Sequence, residues 1–381
     1  MSLIHFGCWG NYNNIENIMN IFKDIKTKNP NLLTVSGDNY YPESTGEKGS
    51  KKKILDIKIF DKLHTLLNKY TKHISNRYLL LGNHEFDVYH ETSQCKSIDL
   101  HEEKHKFNGI TLVKEPMGYS NDSSTLVIMI NTTIYESKDE PCYKIKDILQ
   151  TQLNKNIIID ERQNQLDIVT DIIEQNERNN IIFVGHHPII SCRGTKDKDN
   201  GKSTIGINKY YLKELNVFFI KLEPLLNGKN IYYLTSDTHC YQHSVVYPDV
   251  NNRDFKIEQH IAGTGGAKLD NCSNEISQCA KIVLPYPINS FMEIKHTTNS
   301  FGYLEGTYNR ETNNWSFIFN TEKNYSNNTN NNTTLQSQLH GLKRYNKSKR
   351  YNKSKRYNKS KRYNKSKRYN KSKRYNKFNN K

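Results

Sequence analysis

Through residues 1–240, short apolar runs alternate with longer segments whose apolar positions recur at helical spacing. That alternation is the trace of β-α-β units and a largely parallel sheet. Residues 3–8 read as a first strand, 15–25 as a helix and 32–36 as a second strand. Residues 54–74 place Ile57, Phe60, Leu63, Leu66 and Leu67 on one helical face, and 78–81 follow as a third strand. Residues 126–130 have the composition of a buried strand. The pattern is lost over 136–158, which reads as a surface insertion; then come a helix at 163–177, a strand at 181–184, a helix at 211–226 and a strand at 231–235. Beyond Gln242 the spacing shortens, and aromatic and β-branched residues alternate at 245–247, 301–308 and 315–320. This predicts a second, mostly antiparallel sheet packed on the first.

Composition changes the picture at the C-terminus. Residues 322–338 are dominated by Asn, Thr and Ser and cannot bury enough apolar surface to offset the entropy of ordering. Beyond them, Arg-Tyr-Asn-Lys-Ser-Lys starts at Arg344, Arg350, Arg356, Arg362 and Arg368, with an altered copy from Arg374. One Tyr per copy makes no core. The expected organisation is a folded domain at 1–322, a linker at 323–342 and a disordered basic tail at 343–381. That tail holds 13 Lys and 6 Arg with no acid, a charge of +19 against a formal total of +17, so the rest of the chain carries −2. The high pI of about 9.3 and much of the low mean hydropathy of −0.84 belong to the tail, so charge alone does not make the folded part a nucleic-acid binder. The tail itself suits nucleic acid or another polyanion, with Lys and Arg for phosphates and Tyr for bases. A solvated repeat with no binding role fits it equally well.

The 7 Cys lack the even, regular spacing of a small disulfide-rich domain and read as intracellular thiols. Residues 1–6 run straight into a core strand without a signal-peptide pattern, and no apolar stretch is long enough for a membrane span. The expected location is intracellular.

Candidate chemistry gathers at the strand ends, where open α/β sheets place ligands. The turns are Gly7-Cys8-Trp9-Gly10, Gly37-Asp38-Asn39-Tyr40-Tyr41, Gly82-Asn83-His84-Glu85, Gly185-His186-His187-Pro188 and Ser236-Asp237-Thr238-His239. Each offers a thiolate, carboxylate, phenolate, amide oxygen or imidazole able to hold a metal. Singly these turns are weak signals, because His and Asn also cap helices and satisfy core contacts. Five in order at strand ends are much harder to set aside.

In these turns the chain resembles the calcineurin-like metallophosphoesterases, and in detail the purple acid phosphatases, over residues 3–268. That family reads Gly-Asp-Trp-Gly, Gly-Asp-Asn-Phe-Tyr, Gly-Asn-His-Asp, Gly-His-Tyr-Pro and Gly-His-x-His in this order, with a later Gly-rich segment like Ala262-Gly263-Thr264-Gly265-Gly266. Tyr41, three residues after Asp38, points to the purple acid phosphatases. The resemblance implies an α/β fold of two packed mixed sheets flanked by helices, a four-layer α-β-β-α sandwich. It implies two metal ions bridged by Asp38, with Cys8, Tyr41 and His239 on one and Asn83, His186 and Asp237 on the other. His84 would face the phosphate of a phosphorylated substrate. The implied activity is hydrolysis of a phosphate ester.

The chain departs from that pattern in three places. Cys8 stands where the family has Asp, and Asp237 replaces the first His of the last motif. No His lies between His187 and His239, which leaves Arg193 as the nearest cation for phosphate. A thiolate favours zinc over the ferric ion that Tyr41 suggests, with iron or manganese as the other candidates. Plainer readings stand beside these. Cys8 fits a buried core thiol, Asp237 a turn cap, Tyr40 the core or the rim, His187 a residue behind the ligands or on the rim, Cys240 packing, and His5, His90 and His243 structural histidines. A degenerate phosphatase fold kept as a binding scaffold is the rival to an enzyme.

Overall fold

The computed structural model describes residues 1–41, 53–54, 56–89, 103–104, 106, 108–120, 124–136, 151–195, 206–270, 272, 281–283 and 290–321, with the side chains of 53–54, 86–89, 151–159, 193–195, 206–211 and 281–283 outside the description. The chain divides into Met1–Lys323 and Asn324–Lys381. The linker and repeat tail lie outside the described residues.

Two mixed sheets stack face to face between layers of helix. The first runs in the order Asn314–Thr321, Gly302–Asn309, Ser2–Phe6, Leu32–Ser36, Asn76–Leu80, Thr111–Val113. Its four strands from Ser2–Phe6 onward are parallel, and the other two join antiparallel. The second runs Lys281–Val283, Phe291–Thr298, Tyr241–Tyr247, Ile257–Ala262, Asn230–Thr235, Asn180–Val184, Thr125–Met129, Met117–Tyr119. Its strands Ile257–Ala262, Asn230–Thr235, Asn180–Val184 and Thr125–Met129 are parallel.

The expected helices and strands of the first 240 residues form close to their predicted positions, with two corrections. Helix Thr151–Glu174 begins inside the stretch read as an insertion; its low amphipathic contrast hid it from a periodicity reading. The late strands also do not make a separate antiparallel sheet. Gly302–Asn309 and Asn314–Thr321 return to the edge of the first sheet, while Tyr241–Tyr247, Ile257–Ala262 and Phe291–Thr298 extend the second. Alternation identifies a half-buried strand but carries no information about which sheet it joins.

Strand faces divide the core. In Thr125–Met129, Val127 and Met129 enter the inter-sheet cluster with Leu3, Leu234 and Leu304. Leu126 and Ile128 point the other way, to Val169 and Phe218 of the helices Thr151–Glu174 and Lys213–Leu226. On the outside of the first sheet, Phe22 of helix Ile15–Ile25 packs at 5.9 Å from Phe6 and 5.6 Å from Trp9. Helix Ile57–Thr71 is capped by Asp56, whose carboxylate accepts the Lys58 and Ile59 amides at 3.0 and 3.3 Å. Buried His5 ties the sheets together, with Nδ1 2.9 Å from Thr34 Oγ1 and Nε2 3.2 Å from the Thr235 carbonyl. Apolar side chains fill most of the space between the sheets, and the polar turns at the strand ends are the first place to look for chemistry.

Candidate metal centre

Five strand ends deliver their turns to one rim. Three residues there, Cys8, Asp38 and Asp237, adopt left-handed backbone with φ of 51°, 52° and 30°. Such conformations cost about 1–3 kcal/mol for a non-glycine residue and persist where surrounding structure holds them. Gly37, at φ 81°, leads into Asp38. A Cβ on Gly82 would lie 2.5 Å from both the amide nitrogen and Oδ1 of Asp38, so a glycine here is what lets the third turn close on the second.

The two carboxylate oxygens of Asp38 divide the rim. Oδ2 lies 2.7 Å from the Tyr41 hydroxyl and 3.8 Å from Cys8 Sγ, and the same hydroxyl is 3.2 Å from His239 Nε2. Oδ1 lies 3.4 Å from His186 Nε2, which is also 3.1 Å from Asn83 Oδ1 and 3.8 Å from Asp237 Oδ1. The other six residues expected as ligands stand on one side or the other of Asp38. His84 sits on the more open flank, with Nε2 3.8 Å from Asp38 Oδ2 and its ring 4.6 Å from that of Tyr41. Arg193 is in the strand Ile190–Thr195, but its side chain lies outside the described residues. His90 is outside them as well.

Proton placement decides what the rim can hold. His186 Nδ1 is 2.7 Å from the Ser36 carbonyl, which only accepts, so Nδ1 carries the ring hydrogen. Burial lowers the pKa of His186, and the ring is neutral. Its Nε2 is then a lone pair, and it faces three acceptor oxygens. His239 repeats the arrangement: Nδ1 is 3.0 Å from the Lys268 carbonyl, leaving Nε2 as an acceptor toward Tyr41. Tyr41 has one phenolic hydrogen for Asp38 and His239 together. A cation between the donors reconciles these facing lone pairs, and imidazoles held through the far nitrogen by a carbonyl are the usual partners of a metal.

Charge agrees with that placement. Burial opposes ionisation of Asp38, yet His84, through its ring and its backbone amide 3.1 Å from Oδ1, and the Tyr41 hydroxyl hold its carboxyl below the usual range. Burial, followed by the Asp38 and Asp237 carboxylates, pushes the Cys8 thiol well up. Without a cation Cys8 is therefore a neutral thiol, and a cation beside it would favour the thiolate.

Several supporting residues carry no motif of their own. Glu85 accepts the amides of Asp38, Asn39 and Gly82 at 3.1, 2.6 and 2.5 Å, while burial and Asp38 push its carboxyl up to about 8. Thr132 Oγ1 accepts the His186 and His187 amides at 3.0 and 2.9 Å. His187 is buried behind His186, with Nε2 3.4 Å from Glu136. Tyr40 is a core residue beside Phe60, as its plainer reading has it. Cys240 is bonded to Cys272, and Cys192 is disulfide-bonded too, against the expectation of thiols; among the described residues Cys8 is free. The irregular Cys spacing hid these bridges, because fold rather than sequence interval brings the partners together. The 240–272 bridge pins the turn of His239 to the segment whose Asp270 carboxylate accepts the His239 amide at 3.0 Å.

A family model described as calcineurin-like phosphoesterase matches residues 1–241. Among solved structures, GAP50, the anchor in the inner membrane complex of Plasmodium, is similar at 14% identity and TM-score 0.49, covering 85% of each chain. PhoD is similar at 12% identity and TM-score 0.47, covering 80% of this chain and 63% of its own. A 5'-nucleotidase from Candida albicans SC5314 is similar at 12% identity and TM-score 0.39, covering 84% of this chain and 51% of its own. No curated protein matches in sequence. No helix among the described residues is long and apolar enough to cross a membrane.

Proposed function

Because the chain belongs to the calcineurin-like phosphoesterase family, whose chemistry is metal-dependent phosphoester hydrolysis, we propose that the rim around Asp38 is a two-metal phosphatase site of the purple acid phosphatase kind. The observation that carries the reading is the facing of lone pairs. His186 and His239 both spend their ring hydrogens on backbone carbonyls and turn bare Nε2 atoms toward Asp38 and its neighbours.

Asp38 would be shared by both cations. Cys8, Tyr41 and His239 would hold the first and Asn83, His186 and Asp237 the second. With a thiolate in the first set, zinc is favoured over iron or manganese. Bound there, paired cations supply Lewis acidity and charge stabilisation for in-line displacement at phosphorus. The chain's own residues do the rest. Glu85 and Thr132 fix the turns of Asp38 and His186 through their amides. His84, the more open imidazole, is placed to contact the phosphate and hand a proton to the leaving oxygen. The basic tail adds a segment able to hold a polyanionic partner, and loss of salt-sensitive nucleic-acid retention on deleting residues 343–381 is its test.

The site is tested with the full-length, metal-loaded protein on an aryl phosphate. Hydrolysis is expected, and Asp38→Asn should lower it more than about 100-fold, beyond what loss of an outer partner costs. Asn accepts the left-handed backbone of this position, so the fold should survive. A wild-type protein that holds no metal and cleaves nothing would instead be a scaffold built on this fold.

A further inference from the structure

The second sheet carries another convergence of metal-ligating side chains, on a strand face rather than at strand ends. His243 and His260 are register partners on the antiparallel strands Tyr241–Tyr247 and Ile257–Ala262, and Glu258 lies two residues before His260. Period-two alternation puts all three on one face. Both imidazole Nε2 atoms lie 3.1 Å from the same oxygen, Glu258 Oε1. One donor atom from each residue falls within 4.8 Å of the others.

We propose that His243, Glu258 and His260 form a further cation site, selective for a borderline divalent ion such as zinc and independent of the rim around Asp38. Zinc bonds of about 2.0–2.2 Å in a tetrahedron set neighbouring donors roughly 3.3–3.5 Å apart, close to the spacing here. His260 is almost wholly buried, and its Nδ1 lies 3.2 Å from the Tyr241 hydroxyl, an outer partner of the kind that orients metal-bound imidazole. His243 and Glu258 are 28% and 38% exposed, so the site has a fixed floor and an open mouth. Glu258 also lines a cleft of about 580 Å³.

Two further features of the strands agree. Pairing of Tyr241–Tyr247 with Phe291–Thr298 shifts register between His243 and Ser244, and such irregularities re-aim side chains near functional sites. Across that pair His296 is the register partner of His243 and is exposed, which puts a third imidazole one strand away on the same face. The rings of His243 and His260 are stacked at 4.4 Å with 13° between planes. Seating an ion requires them to splay, and His243, at the open side, is the ring that turns.

The test uses tag-free, full-length protein equilibrated with zinc alone and dialysed, with metal per chain read by elemental analysis. Wild type should carry one equivalent more than Glu258→Gln and one more than His243→Ala, both partly exposed positions that leave the fold intact. Aryl phosphate hydrolysis should be unchanged in both. Asp38→Asn should retain that equivalent, and in this variant cobalt should give the visible absorption of a low-coordinate site that Glu258→Gln abolishes. Equal metal content in wild type, Glu258→Gln and His243→Ala overturns the proposal, and so does an Asp38→Asn protein that binds no metal. A wild-type protein that keeps this equivalent but hydrolyses no aryl phosphate would count against the rim alone.

Discussion

The rim around Asp38 and the triad around Glu258 draw on similar side chains and are built in opposite ways. At the rim the donors come from five turns far apart in sequence, and three of them sit in left-handed backbone. In the triad the donors come from two adjacent strands in regular register. The rim stores strain and depends on neighbours that hold it; the triad inherits its geometry from the sheet. Perturbing the backbone should therefore damage the first and spare the second.

Gly82→Ala should break the comparison most sharply. The new methyl would meet Asp38 and, at 2.8 Å, His186 Cε1, moving both halves of the rim. Displacements of that order cost about 100-fold in rate, and overpacking about 1–3 kcal/mol in stability. Aryl phosphate kinetics and a thermal melt would show it, with zinc at the triad unchanged. His84→Ala should rank next. If His84 is the proton donor proposed, its loss lowers kcat by roughly 100-fold, while metal content stays at the wild-type value because the proposed arrangement gives His84 no cation. Glu136→Gln is expected to cost about 10-fold through His187, as removal of an outer partner does; the readout is activity against metal concentration.

How far each region was legible follows from the same contrast. The turns Gly37-Asp38, Gly82-Asn83 and Gly185-His186 announce themselves because glycine beside a donor at a strand end is a local pattern. The helix at 15–25 was legible from its hydrophobic period, and the strand at 32–36 as a short, mostly apolar run. Thr132, Glu136, Lys268 and Asp270 were not, because they act through backbone groups or from behind a ligand. His243, Glu258 and His260 gave no signal either. Alternation marks them as strand residues, and only pairing between Tyr241–Tyr247 and Ile257–Ala262 brings them together. The return of Gly302–Asn309 to the first sheet is equally a matter of long-range pairing that no local pattern encodes.

The smallest effect expected at either site comes from a change in the core. Burial holds His5 neutral, lowering its pKa from 6.5 to about 3, opposed by the bond to Thr235. Between those values the unfolded chain binds the extra proton, so this group makes stability fall as pH drops from about 6.5 toward 3. His5→Asn should flatten that part of the stability profile in urea titrations, without altering either metal site. A profile equally steep in the variant would assign the dependence to other groups.

The central claim is that one carboxylate sits between two cations at the rim. Anomalous scattering from crystals of the zinc-loaded full-length protein tests it most directly. Two peaks are expected beside Asp38, the first next to Cys8, Tyr41 and His239 and the second next to Asn83, His186 and Asp237. A rim with a single peak, or with none while the triad is filled, would contradict it.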